Sequence, residues 1–251
     1  MHVNTSAAMP QLVSSLLVQL GSLATQTPSP ELHERYTVWS RVRDAAGGAL
    51  CGDVVATAGL PGARLALVVV DFIGGGVVRA ARARAFAAHL MAMLSLGATP
   101  ATAMRVADAE LRRAGWEDDL PPLVSAFVGY ADRTTDTLTF VSAAHETALI
   151  LAPDGTHRHL ACTGPVAGLF ETPEFEQAEV PLRRGESLVV VTDGIPDSHP
   201  PSGGFFGSTG TVRTAALALR AGDDPAEALI ASAMRHGGGA NDTAALIVRR
   251  E

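Results

Sequence analysis

Residues 64–76, Arg-Leu-Ala-Leu-Val-Val-Val-Asp-Phe-Ile-Gly-Gly-Gly, constrain the fold more than any other stretch of the chain. Residues 65–70 are apolar and rich in β-branched side chains, the composition of a strand covered on both faces. Asp71 stands at the end of that strand. Gly74, Gly75 and Gly76 then let the backbone turn sharply and let another group approach closely. Asp71 has two readings here. It caps the helix-like run at 77–96, or it is a functional carboxylate held by a rigid strand at the edge of a loop.

The same pattern returns three times. Residues 187–191, Ser-Leu-Val-Val-Val, end in Thr192-Asp193-Gly194. Asn241-Asp242-Thr243 directly precedes the apolar run Ala-Ala-Leu-Ile-Val. Near the beginning, Cys51-Gly52-Asp53 opens a third apolar segment. Asp53, Asp71, Asp193 and Asp242 thus all fall on strand edges beside small residues. Carboxylates in that setting point to one oxygen-ligand metal site assembled from distant segments.

A chain of 251 residues with 47% apolar side chains can bury a core, either as one large domain or as a domain with an appendage. A net charge of −7 argues against nucleic acid or an anionic membrane as partner. No apolar run is long enough to span a bilayer, and the N-terminus lacks the basic start of a secretion signal. Cys51 and Cys162 are too few for a disulfide framework or a zinc site, so a reducing cytoplasm is the expected home.

Residues 1–30 read as a separate segment preceding a domain at 31–251. Leu12, Val13, Leu16, Leu17, Leu20 and Leu23 have helical spacing, and Thr-Pro-Ser-Pro at 27–30 ends the run. That helix either packs on the domain or mediates pairing of two copies. Strands are expected at 36–42, 51–57 and 65–70, and helices at 77–96 and 100–114. An antiparallel meander follows at 124–131, 137–143 and 147–151. Strands at 175–180 and 187–191, helices at 212–220 and 225–235, and a last strand at 244–248 complete the chain. Residues 195–211 read as a loop. Strands outnumber helices and the helices come in pairs, which predicts an α+β arrangement of stacked antiparallel sheets with helices outside.

Gly52-Asp53, Asp71-x-x-Gly74-x-Gly76, Thr192-Asp193-Gly194 and Asp242 with its following strand resemble the bacterial branch of the metal-dependent type 2C serine/threonine phosphatases. That branch includes sporulation phosphatase E and the phosphatases of sigma-factor partner switching. Ala143-Ala144-His145, Gly164-Pro165-x-x-Gly168-Leu169, Arg184-Gly185-Glu186 and Phe206-Gly207 agree with the same resemblance. It implies a β-sandwich flanked by helical pairs and hydrolysis of phosphoserine or phosphothreonine by water bound to two Mn²⁺ or Mg²⁺ ions. It also implies that Asp71 bridges both ions and the Phe72 backbone carbonyl completes one shell. Asp193 and Asp242 would hold the other ion, and Asp53 would bind a metal or its waters. The implied partner is a phosphorylated regulatory protein of the anti-sigma-antagonist kind.

Three positions depart from the family pattern. Gly75 stands where many members carry His, Ala56 where many carry a second acidic residue, and Asn241-Asp242 where Asp-Asp is common. They leave two alternatives to a protein phosphatase: a pseudophosphatase acting as a binding module, or a metallohydrolase of small phosphoesters. His89 reads as a packed helix residue, His145 as a turn residue, and His157, His159 and His199 as loop residues. Cys51 reads as a small core residue. Arg79, Arg82 and Arg84 read as a solvated helix face, with a phosphate-binding role for one of them as the alternative.

Overall fold

The computed structural model describes residues 36–45, 51–74, 76–113, 122–145, 148–237 and 239–251. The proposed N-terminal helix, the pairing assigned to it, Gly75 and most of the acidic loop at 116–122 lie outside the described residues. The strands are β1 (Tyr36–Arg43), β2 (Asp53–Leu60), β3 (Arg64–Phe72), β4 (Val124–Asp132), β5 (Thr137–Ala143), β6 (Ala148–Leu151), β7 (His157–His159), β8 (Ala178–Pro181), β9 (Ser187–Val191) and β10 (Thr243–Arg250). The helices are α1 (Val77–Ser95), α2 (Pro100–Arg113), α3 (Gly207–Ala221) and α4 (Pro225–His236).

The strands form two antiparallel five-stranded sheets, ordered β1-β10-β9-β6-β7 and β2-β3-β4-β5-β8. Alternation along each strand sorts side chains onto two faces. On β3, Leu65, Leu67 and Val69 face the other sheet and pack with Ile150, Val190 and Leu246. Ala66, Val68 and Val70 face outward against Phe86, Leu90 and Met104 of α1 and α2. The opposite sheet repeats the arrangement, with Val189, Val191 and Ile247 buried against Leu229 and Ala233 of α4. The result is the expected α+β sandwich, helix pair on sheet on sheet on helix pair. No helix among the described residues is long and apolar enough to cross a membrane.

Local sequence explains the helices. Ala80, Ala83, Phe86, Ala87, Leu90, Met91 and Leu94 place one buried stripe along α1. Thr99 caps α2, its hydroxyl accepting from Thr102 N at 3.2 Å. Asp224 caps α4 by accepting from Ala226 N at 2.9 Å and Glu227 N at 3.1 Å.

Four local expectations shift. His157 and His159 are not loop residues but lie on β7, a short edge strand with no apolar alternation to betray it. α3 begins at Gly207, five residues early in a stretch read as loop, because tertiary packing of Phe206 and Val212 overrides weak helix formers. The strand expected at 175–180 starts only at Ala178, while Phe175 is buried beside α1 and α2. β2 starts at Asp53 rather than residue 51 and continues to Leu60.

Ala144, in the bend after β5, sits at φ 50°. A left-handed non-glycine residue costs about 1–2 kcal/mol, and glycine there forfeits about 0.5–1 kcal/mol of backbone entropy. Ala144→Gly is therefore expected to leave stability unchanged or raise it by up to about 1 kcal/mol in denaturant titration.

Candidate metal centre

β2 and β3 place Asp53 directly opposite Asp71. Both share the parity of Leu65, Leu67 and Val69, so the two carboxyls continue the face that looks across to the other sheet. Side chains directly opposite on an antiparallel pair are neighbours, with Cβ atoms about 4.5–5.5 Å apart. Here the Asp71 carboxyl hydrogen-bonds the Asp53 side chain. Burial and then the charge of Asp71 raise Asp53 well above the ordinary carboxylate range. Burial and then the charge of Asp193 raise Asp71 in the same direction, and Asp242 adds to both. The pair therefore retains a proton near neutrality unless a cation compensates it.

The opposite sheet supplies the other two carboxylates. Thr192 follows β9, donates from Oγ1 to Asp53 Oδ2 at 2.6 Å, and accepts from Ala244 N at 2.8 Å. That hydroxyl ties β2 to β10 across the sandwich. Asp193 comes next and is exposed at the mouth of the seam. Burial of its partly covered carboxyl, then the charge of Asp197, raises its pKa. Asp242 precedes β10. Its Oδ2 accepts from Gly52 N at 2.6 Å and its Oδ1 from Ala45 N at 2.7 Å. Asn241 is exposed.

Two glycines make this approach sterically feasible. A Cβ on Gly52 would lie 2.9 Å from the Phe72 carbonyl oxygen and 3.7 Å from Asp242 Oδ2. A Cβ on Gly194 would lie 1.9 Å from the Asp242 carbonyl oxygen. The Phe72 carbonyl thus faces the Gly52-Asp53 corner. Ala56 lies on the helix-facing side of β2, packed into the core with α1, away from Asp53.

His145 lies just past the bend after β5, as expected of a turn residue, and is buried there. Its Nδ1 lies 3.1 Å from Oγ of Ser125, which pairs with Asp71 across β3 and β4. Burial pushes its pKa down to about 4, against an opposing hydrogen bond with the Val191 backbone, so the ring is neutral at pH 7. The Cys51 thiol is buried, and burial pushes its pKa up, which leaves it unreactive. The Thr192 hydroxyl is the functional contact that reading the aspartates alone misses. Its signal was a hydroxyl residue directly preceding Asp193 at a strand end.

Among the described residues, no three His, Cys, Asp or Glu side chains already form a closed cation-binding group. The donor set nevertheless fits hard divalent cations in kind. It offers carboxylates and a carbonyl oxygen, with two of the carboxyls held at raised pKa by burial and mutual charge.

Known proteins share this architecture. The chain overlays the type 2C phosphatase domain of SpoIIE from Bacillus subtilis with a TM-score of 0.74 at 16% identity, covering 86% of this chain and 63% of that one. It overlays the RsbU and RsbW domains of Rv1364c from Mycobacterium tuberculosis with a TM-score of 0.74 at 24% identity, covering 86% of this chain and 60% of that one. The fold is therefore that of the type 2C phosphatases. Residues 61–251 match the family described as Stage II sporulation protein E (SpoIIE), and the chain belongs to that family. It is also 24% identical over 153 residues to phosphoserine phosphatase RsbP of Bacillus subtilis, covering 61% of this chain and 38% of RsbP. The chain thus spans less than two thirds of the length of these relatives.

The raised carboxyls set a pH dependence for the metal-free protein. Unfolded aspartates release their protons near pH ~4, whereas the native pair holds one to higher pH. The native state then binds more protons, so stability falls as pH rises from about 4 through neutrality. Thermal melts in chelator are expected to drop between pH 5 and pH 8, and Asp53→Asn is expected to flatten that slope.

Proposed function

We propose that the protein is a metal-dependent phosphatase that hydrolyses phosphoserine or phosphothreonine on a regulatory protein of a partner-switching pathway. The observation that carries this reading is the pairing of Asp53 with Asp71, within electrostatic reach of Asp193 and Asp242, in a chain of the SpoIIE family. The similarity to RsbP, which is named a phosphoserine phosphatase, supports the substrate class. The proposed partner is a phosphorylated, anti-sigma-antagonist-like protein in the cytoplasm.

In this reading Asp71 and the Phe72 carbonyl would help hold two Mn²⁺ or Mg²⁺ ions. Asp193, Asp242 and Asp53 would supply the remaining carboxylate ligands, to the ions or to their waters. When bound, such ions would lower the pKa of a water and offset the charge of the phosphoryl group. The chain supplies the framework. Thr192 aims Asp53, the Gly52 and Ala45 amides aim Asp242, and Ser125, in contact with His145, pairs with Asp71 on the neighbouring strand. No protein nucleophile is needed, and neither the buried Cys51 thiol nor the neutral His145 ring is suited to be one.

A second reading has its own support. Both oxygens of Asp242 already accept from backbone amides. That engagement, with Gly75, Ala56 and Asn241 departing from the family pattern, favours a pseudophosphatase that binds phosphoprotein without turnover.

Mn²⁺ is expected to raise the melting temperature and to support hydrolysis of p-nitrophenyl phosphate and, more slowly, of phosphoserine peptides. Asp71→Asn is expected to abolish both activities. Metal binding without cleavage of either substrate at any Mn²⁺ concentration would leave the binding-module reading in place.

A separate pair of variants tests the C-terminal ligand. Asp242→Asn is expected to lower activity by at least about tenfold, the effect of losing one charged contact, while Asn241→Ala leaves it near wild type. The reverse order would move the ligand to position 241.

A further inference from the structure

Arg79, in the first turn of α1, folds back over the glycine turn that follows Asp71. Its Nη1 donates to the Ile73 carbonyl at 2.6 Å. Its Cδ, Nε and Cζ lie 2.9, 2.9 and 3.0 Å from where a Cβ on Gly74 would stand. Gly74 itself sits at φ 100°. On its other side, the Gly74 carbonyl oxygen is 3.4 Å from the Cβ position of Gly52, next to Asp53 and to Asp242 Oδ2. One glycine therefore separates the guanidinium from the carboxylate site, and only a residue without a side chain leaves that space to Arg79.

Arg79 makes no ion pair among the described residues, and the first turn of α1 contains no acidic residue. Its bond to the Ile73 carbonyl uses one of five N–H donors on a fork that matches phosphate geometry. Other arginines of this chain are taken up by carboxylates. Arg158 holds Glu186 and Arg250 holds Asp136. Arg79 is instead fixed by a backbone carbonyl, with Gly74 between it and the Gly52 corner beside Asp53 and Asp242.

We propose that Arg79 is a phosphate-binding residue, contacting the non-bridging oxygens of the substrate phosphoryl group as it enters the aspartate site. This assignment rests on the phosphatase reading for its substrate, but the anion contact itself can be measured without turnover. It also gives the glycine turn a second role: Gly74 admits the guanidinium on one side while its carbonyl abuts the Gly52 corner on the other.

The test compares wild type, Arg79→Ala and Arg79→Lys in the full chain with Mn²⁺. Inorganic phosphate is the binding probe, read by thermal shift and calorimetry, and phosphoserine peptide is the substrate. Arg79→Ala is expected to weaken phosphate binding and raise KM for the peptide by about tenfold or more, the effect of one charge-assisted hydrogen bond. The Mn²⁺ concentration that gives half-maximal stabilisation should stay unchanged, and Arg79→Lys should recover part of the loss. Unaltered phosphate affinity in Arg79→Ala would overturn the assignment. Equal losses of Mn²⁺ and phosphate affinity would also overturn it, because Arg79 would then merely prop the glycine turn. A wild type that cleaves nothing yet binds phosphate through Arg79 would sink the phosphatase reading and keep the Arg79 assignment.

Discussion

One end of the seam between the two sheets is closed by hydrogen bonds to carboxylates rather than by apolar packing. Thr192 donates to Asp53 across the sandwich, and Asp242 accepts from Gly52 and from Ala45. These contacts join β2 to the loops that lead out of β9 and into β10. Elsewhere the sheets adhere through side chains such as Leu67, Phe127, Ile150 and Val190, all fully buried. Apolar contacts are tolerant of small shifts, whereas hydrogen bonds of 2.6–2.8 Å are not. The carboxylate end therefore sets the relative placement of the sheets where chemistry is expected.

That arrangement is electrostatically costly without a cation. Asp53 and Asp71 are desolvated and adjacent, and each raises the charge burden of its neighbours. A protein that needed only a stable sandwich would fill these positions with Val, as β2 and β3 do two residues further in on the same face, at Val55 and Val69. Carboxylates concentrated where they repel one another are a sign of a site that binds a positive ligand. The apolar framework of three cores supplies the stability that this end does not.

Close backbone approach is the second constraint. Gly52 and Gly194 both stand where a Cβ would strike backbone oxygens of Phe72 and Asp242. These contacts explain why Asp53 and Asp193 each have a glycine next to the acid, and they are a steric requirement rather than one of flexibility. Gly74 adds a left-handed turn and an open side that Arg79 covers.

Much of this was written in local sequence. The apolar runs at 65–70, 187–191 and 244–248, the paired helices, and the aspartates at strand ends follow from periodicity and from the chemistry of Gly and Asp. They defined the sandwich and the four carboxylates. What the tertiary structure decided is how those carboxylates relate. The opposition of Asp53 and Asp71 depends on strand register, since a one-residue slip would send one of them to the helix side, where Ala56 lies. The link from Thr192 to Asp53 joins residues 139 positions apart, beyond the reach of any local pattern. His145, read as a turn residue, became a buried support for the same reason: its burial is set by two sheets that meet only in three dimensions. β7 and the early start of α3 escaped local reading because pairing and packing, not propensity, hold them in place.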